Sequence, residues 1–504
     1  MQTDWAFLSS FILLLHICGV IAAMHAILYA RNAQSAIAWT LSLLLIPHIT
    51  LLPYLLLGRS RIARDISARR FEDIQSNVQL KRSNPFRKRI NKIKFPTQQL
   101  PIDFSRHTIN SGQHRMHALA SLAHTPLLSD NTVRLLINGE QTFAALFTAI
   151  AQAQKIVIVQ SFSVRDDQVG KQLHTLLCQR AQAGVAVYFL YDAIGSYRLP
   201  LAYINTLRTQ GVQAHAFSTG RHFHHPLQIN FRNHRKLSIV DGHTAFLGGF
   251  NISDIYLGAH PRLSPWRDTH VQVKGPAVAA LQLAFAKDWF WITQTLPELI
   301  LPTYPIKTHA PQSIANTMQP EHAMLCQVLP SGPTDNQETC LLFFVEAINS
   351  ARTRIWLASP YFIPDDAIRT ALQLAVLRGV DVRLLLPSQA DHLTVFAAST
   401  LYAHEMIQVG VKVYRYHPGF MHQKIVLIDQ DTAAIGSANL DHRSFRLNFE
   451  ITLITVDAGF AHSVATMLEN DFATSRLMSM REYEDAPGWK KFAMHLAKLF
   501  SPIL

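Results

Sequence analysis

Cysteine is scarce in this chain, with four among 504 residues (Cys18, Cys178, Cys326 and Cys340) and no C-x-x-C spacing. That scatter leaves no disulfide framework and no cysteine-based zinc site, and it fits reduced thiols in a cytosol-facing protein. Charge is missing over two long stretches. "WAFLSSFILLLHICGVIAAMHAILYA" (5–30) holds no charged residue, and "NAQSAIAWTLSLLLIPHITLLPYLLLG" (32–58) runs uncharged from Arg31 to Arg59. Each is long enough for a helix across a ~30 Å hydrocarbon core, so together they predict a two-helix transmembrane hairpin over 1–58. A cleaved signal peptide needs a basic stretch before its apolar run, whereas this chain opens Met-Gln-Thr-Asp. Pro47 and Pro53 predict kinks, tolerable where a neighbouring helix or water takes up the freed carbonyls. Acidic residues are also few: 46 Lys+Arg against 34 Asp+Glu leave a net charge of +12. Such a balance suits an acidic partner, nucleic acid or an anionic membrane surface, and the apolar runs choose the membrane.

Basic residues set the expected orientation. Arg59, Arg61, Arg64, Arg69 and Arg70 follow the second run, while the loop between the runs holds only Arg31. By the positive-inside rule the large C-terminal part is then cytoplasmic. "KRSNPFRKRINKIK" (81–94) is a further basic run in a juxtamembrane linker over 59–125. It is solvated, and it is also drawn to anionic headgroups at about 1 kcal/mol per basic residue near the surface.

Beyond this linker the chain repeats itself. "KIVIVQSF" (155–162) answers to "RIWLASPYF" (354–362), each after an apolar helical stretch, "FAALFTAIAQAQ" (143–154) and "LLFFVEAINSAR" (341–352). "AGVAVYFLYD" (183–192) answers to "RGVDVRLLLP" (378–387), and "GVQAHAF" (211–217) to "GVKVYRY" (410–416), at offsets of 378 − 183 = 195 and 410 − 211 = 199 residues. The alternation predicts a duplicated α/β unit with helices on both faces of a mixed sheet. The expected domains are 126–300 and 326–504, joined by the Pro-rich segment 301–325. The first carries an extra loop, "STGRHFHHPLQINFR" (218–232). Its "HFHH" lacks cysteine or acidic residues at ligand spacing, so it reads as a basic surface loop and no metal site is assigned.

"HRKLSIVD" (234–241) and "HQKIVLID" (422–429) belong to the same repetition, followed by "GGFN" and "GSAN". On a strand, residues i and i+2 share a face, so His234 points with Lys236 and His422 with Lys424, while Arg235 and Gln423 point away. Asp241-Gly242 is a tight-turn dipeptide, and "TAFLGG" returns as the paired strand. Asp241 and Asp429 complete the candidate catalytic set by position, with a structural reading at the strand end beside it. Asn251, Ser437 and Asn439 open the loop after the return strand, where small residues let amide and hydroxyl donors approach a ligand. Two such copies facing one another give two imidazoles and two ammonium groups round one site. That suffices for phosphoryl transfer without metal: one His attacks phosphorus, the other protonates the leaving alcohol, and the lysines neutralise the oxygens.

The doubled H-x-K-x4-D with G-G/S-x-N resembles the phospholipase D superfamily. "WRDTHVQVKGPAV" (266–278), "LLLPSQADH" (384–392), "PGFMHQK" (418–424), "GSANLDHRSFRLNFE" (436–450) and "LLPYLLLGR" near the N-terminus resemble its bacterial cardiolipin synthases. The resemblance implies two halves facing across a pseudo-two-fold axis and sharing one active site. It marks His234, Lys236, Asn251, His422, Lys424, Ser437 and Asn439 as that site, with Asp268 and Glu450 orienting imidazoles. On its own Glu450 also reads as a charged strand residue. Two departures stand out: Gly249 where the second half has Ser437, and Gln160 where many relatives carry an acid.

The activity so implied is phosphatidyl transfer between two phosphatidylglycerol molecules through a phosphohistidine, giving cardiolipin and glycerol, with no cofactor. Family analogy makes His234 the nucleophile and His422 the acid and then the base. Phosphatidylglycerol and anionic membrane lipids are the implied partners, in a bacterial inner membrane, and phosphatidylethanolamine stays open as acceptor. A hydrolase of the superfamily would use the same residues and release phosphatidic acid, and a nuclease would leave the membrane hairpin without a purpose. The C-terminal "WKKFAMHLAKLF" (489–500) carries Trp489, Phe492, Leu496, Leu499 and Phe500 at helical spacing, opposite lysines. It reads equally as an interfacial helix and as a helix packed on the core.

Overall fold

The computed structural model describes residues 2–30, 33–57, 118–123, 125, 127–218, 231–300, 324–335 and 337–504. The arginines at 59–70, the basic run 81–94, the "HFHH" loop and most of the linker 301–325 lie outside the described residues. Contacts divide the chain into two compact units, the N-terminal helices and the remainder.

In the N-terminal unit the first apolar run forms one helix, Gln2–Tyr29. Its segment Ser9–Tyr29 is long and apolar enough to cross a membrane. The second run is not the single helix expected. It breaks at Ile46 into Ala33–Leu45 and Pro47–Leu57, because Pro47 has no N–H to continue the ladder. The Thr50 hydroxyl stitches the break by donating to the Ser42 and Ile46 carbonyls at 3.0 and 2.9 Å. Neither the 13-residue nor the 11-residue piece, rising about 20 and about 16 Å, reaches across a ~30 Å apolar core alone, so a second crossing needs both in series. Small residues bring the helices together: a Cβ on Gly19 would lie 2.5 Å from the Leu43 carbonyl oxygen, and Ala22, Ala23 and Ala26 are buried with Leu43 and Tyr54.

In the larger unit the duplication appears as strand order. The first repeat runs 213–217, 186–192, 156–161, 237–240, 244–248, 269–274, 128–137 across the sheet, and the second runs 412–416, 381–387, 354–358, 425–428, 432–436, 448–456, 324–331 in the same sequence of roles. The two series meet where Leu128–Ile137 pairs antiparallel with Met324–Ser331, making one continuous sheet. The central strands Leu237–Val240 and Ile425–Ile428 are buried along their whole length, which accounts for sequences that are apolar throughout but for Ser238. Each repeat has its own apolar core against the sheet. Residues 118–123, read as linker, are helical, and Leu119 and Ala123 belong to the second core.

The two motif aspartates sit at the far end of these strands from their histidines. Asp241 (φ 51°) and Gly242 (φ 69°) make the tight turn. The Asp241 carboxylate accepts the N–H groups of Gln154, Lys155 and Ile156 at 2.9, 2.7 and 3.0 Å, pinning the start of Ile156–Ser161. Asp429 (φ 52°) does the same for Arg352, Thr353 and Arg354. Burial opposes its ionisation, and those N–H groups more than compensate, holding its pKa below the ordinary value. Asp241 and Asp429, expected by position in the catalytic set, have their oxygens occupied by backbone at the turn instead. Replacing either with alanine should cost about 1–3 kcal/mol by stranding backbone donors. Thermal melts in detergent should drop while turnover per folded molecule stays within about threefold. An alanine variant of unchanged stability but abolished turnover would contradict the structural role.

Candidate active site

Short strands crossing between the repeats place the histidines. Arg232–Asn233 of the first repeat pairs parallel with Asn448–Phe449 of the second, and Phe420–Met421 of the second with Trp266–Arg267 of the first. The His234 N–H donates to the Phe449 carbonyl at 2.9 Å and the His422 N–H to the Arg267 carbonyl at 2.8 Å. The next residue on each partner segment is Glu450 or Asp268. Each histidine therefore meets the carboxylate of the other repeat: His234 Nδ1 lies 3.0 Å from Glu450, and His422 Nδ1 lies 2.7 Å from Asp268. A carboxylate acceptor puts the proton on Nδ1 and leaves Nε2 for chemistry. Both H-x-K triplets precede their strands, which begin at Leu237 and Ile425. The i, i+2 relation still holds, since Lys424 Nζ lies 3.0 Å from His422 Nδ1 and Lys236 Nζ donates to the His234 carbonyl at 2.7 Å.

Arg235 and Gln423 point to the other side, as expected, and lock the repeats together. Arg235 donates to the Glu450 carbonyl at 3.0 Å and pairs with Asp288 at 2.8 Å. Gln423 donates to Thr269 Oγ1 at 3.0 Å. Buried Arg267, next to Asp268, makes a bidentate pair with Asp471 of the second repeat at 2.8 and 2.9 Å. Phe162 edges against the His234 ring and Trp266 against that of His422.

The two halves differ electrostatically. Fully buried Glu450 accepts from Ser437 Oγ (2.6 Å), Ser444 Oγ (2.9 Å) and Asn448 Nδ2 (3.1 Å) besides His234. Asp268 accepts from the Thr269 N–H at 2.8 Å besides His422. Gly249 has a steric reason: a Cβ there would stand 2.0 Å from Asp268 Oδ1. Aspartate is one methylene shorter than glutamate, so its carboxylate occupies the space that Ser437 fills in the second repeat. Desolvation pulls His234 down to about 4 even though the Glu450 carboxylate raises it. His422 is lowered too, first by desolvation and then by the Lys424 charge. Burial brings Lys236 to about 7 and Lys424 to about 8.

Comparison with known proteins decides the family. The model described as "Cardiolipin synthase, PLD-like domain" matches residues 146–289 and 344–472, and "Phospholipase_D-nuclease N-terminal" matches 17–59. Cardiolipin synthase A of Pseudomonas aeruginosa is 50% identical over 503 residues, covering 100% of this chain and 97% of its own. That of Pseudomonas putida is 49% identical over 492 residues, covering 97% of both chains. The chain belongs to the cardiolipin synthase family. Its fold is shared with phosphatidylserine synthase of Haemophilus influenzae (TM-score 0.60, 15% identity), covering 78% of this chain and 100% of that one.

Within this cardiolipin synthase architecture His234, Lys236, His422, Lys424, Asp268, Glu450 and Ser437 are brought together. Asn251 and Asn439 flank them, each tied down. Asn251 spans the Ser163 N–H (3.2 Å) and the Tyr256 hydroxyl (2.6 Å), while Asn439 Nδ2 donates to Asp441 at 3.2 Å. Gln160 lies behind the site, donating to Asn233 and Asp288 at 2.9 and 2.7 Å. Asp288 supplies the acid there, so a second carboxylate at 160 would face it. Sequence reasoning missed Ser444, Asn448, Tyr256 and Asp441. The signal for the first two was the density of polar residues in "GSANLDHRSFRLNFE" just ahead of a buried apolar strand. Among the described residues no group of three or more His, Cys, Asp and Glu is arranged to hold a metal ion.

The lysine values give a pH dependence with a definite sign. A bound phosphodiester anion favours both ammonium forms, so binding draws in protons above the empty-site values of about 7 and about 8. Affinity for a phosphonate analogue of phosphatidylglycerol should be flat below about pH 6.5 and fall at least about tenfold between about pH 7 and 9. Calorimetry in two buffers of different ionisation heat should register net proton uptake. Affinity unchanged across that range would rule out titrating lysines.

Proposed function

We propose that this chain transfers a phosphatidyl group from one phosphatidylglycerol to another through a phosphohistidine, releasing glycerol and forming cardiolipin. The crossed imidazole–carboxylate pairs carry this reading, because each fixes a tautomer whose Nε2 is free for phosphorus or for a proton. His234 is the nucleophile. Desolvation keeps its ring neutral, and its carboxylate, shared among Ser437, Ser444 and Asn448, opposes this the less for being shared. Asp268 has fewer donors to satisfy, so it favours charge on His422, which protonates the departing glycerol. The anionic lipid raises the His422 pKa on arrival, countering the neighbouring lysines.

In the second half-reaction His422 takes the proton from the hydroxyl of the acceptor lipid, and that oxygen attacks phosphorus as the bond to His234 Nε2 breaks. Lys236 and Lys424 neutralise the non-bridging oxygens throughout. One phosphodiester replaces another, so escape of glycerol draws the reaction forward. Water competes as acceptor, and a lipid-facing site disfavours it. The reading includes a bacterial inner-membrane location, a two-pass N-terminus and a cytoplasmic catalytic unit, supported by the apolar helix Ser9–Tyr29 and the arginines at 59–70.

Purified protein given phosphatidylglycerol in mixed micelles should release cardiolipin and glycerol in equal amounts by mass spectrometry. His234→Ala and His422→Ala should each lose at least about 10³-fold in rate. Phosphatidic acid as the main product would assign the chain to hydrolysis and remove the acceptor claim.

A further inference from the structure

The C-terminal helix Gly488–Leu499 reverses the packing of an ordinary surface helix. Its 3.6-residue turn puts Lys491, Met494, Ala497 and Lys498 on one side and Trp489, Phe492, Leu496 and Leu499 on the opposite side. The lysine-bearing side faces the protein. Ala497 is buried, Lys491, Met494 and Lys498 are half-buried, and Lys498 pairs with Glu405 on the neighbouring helix Leu393–Gln408. Lys491 Nζ donates to the Glu484 carbonyl at 2.6 Å, and Ser501, just past the helix, meets the Tyr402 hydroxyl at 3.1 Å. The apolar side is left in the open, with Trp489 69%, Phe492 71% and Leu499 75% exposed. Core packing would have inverted this arrangement, and solvent exposure gives the aromatics nothing to gain.

We propose that this face docks on an anionic lipid bilayer, a second membrane contact separate from the N-terminal apolar helix. Charge selects the occupant: with Lys491 and Lys498 turned to the protein, Lys490 is the charge beside the stripe, and residues 487–504 hold no acidic side chain to oppose it. Lys490 flanks the stripe from over the Trp489 ring, where it can reach headgroups while the rings enter the acyl boundary. A second copy seated on the same face across a two-fold axis would bring lysine against lysine. The stripe is also free of acidic and amide side chains, which suits a fluid apolar surface better than a protein interface with hydrogen bonds to match. The proposal does not depend on the catalytic reading, and its test needs no turnover.

The full chain would be reconstituted in vesicles of equal phosphatidylglycerol and phosphatidylcholine, with and without bromine on the upper acyl carbons. The Trp489 emission is the difference between wild type and Trp489→Phe. It should be quenched at least twofold by brominated lipid and should shift to the blue. Trp39, in the N-terminal helices, reports insertion in the same sample. An unquenched Trp489 signal beside quenched remaining emission would overturn the proposal. So would a signal that ignores brominated lipid and responds only to protein density, which would give the face to a second copy.

Discussion

The imidazole of His234 is held by Glu450 and that of His422 by Asp268, so each repeat carries a histidine that only the other repeat can orient. Much of the rest of the larger unit can be derived from this exchange. The two-residue strands 232–233 and 420–421 must cross to the partner repeat to carry their histidines there. Arg235, through the Glu450 carbonyl, Arg267, through Asp471, and Gln423, through Thr269, then fasten the crossing from behind with buried charge-assisted and polar bonds. Removing one member of such a pair would leave a buried charge alone, so the crossing is enforced energetically as well as sterically. A single repeat would hold a histidine without its carboxylate.

Duplication also permits divergence. Gly249 and Ser437 occupy equivalent places, yet one makes room for a carboxylate and the other donates to it. Shortening Glu to Asp by one methylene and losing one hydroxyl separates the electrostatics of two otherwise matching half-sites. An acid and a nucleophile need different proton affinities, and environment can impose the difference on identical side chains.

The doubled His-x-Lys, its Gly/Asn followers and the repeated strand order were legible because local pattern determines them. The apolar runs of the central strands and the Asp-Gly turn likewise required no tertiary knowledge. The crossing was not legible: the family resemblance implies that Asp268 and Glu450 orient imidazoles, but nothing in the sequence says which histidine each serves. That choice rests on two ladders of two residues each, too short to leave a pattern. Asp241 and Asp429 travel with the motif in sequence, but a strand's length separates them from its chemistry. Pro47 was visible as a kink and proved to be a break. For the C-terminal helix the sequence left both readings open; the helix packs on Leu393–Gln408 through its lysine-bearing side and leaves its aromatic side exposed.

The most direct test of a single site with unequal halves is the number and place of covalent labels. A phosphatidyl ester of a nitrophenol needs little acid assistance to leave, so His422→Ala should still be labelled by a radioactive phosphoryl group while release to an acceptor stalls. The expected result, after a base quench and peptide mapping, is one label per chain, on the peptide containing His234, and none in His234→Ala. Label on His422, or two labels per chain, would contradict the assignment of one nucleophile and one acid to the crossed pairs.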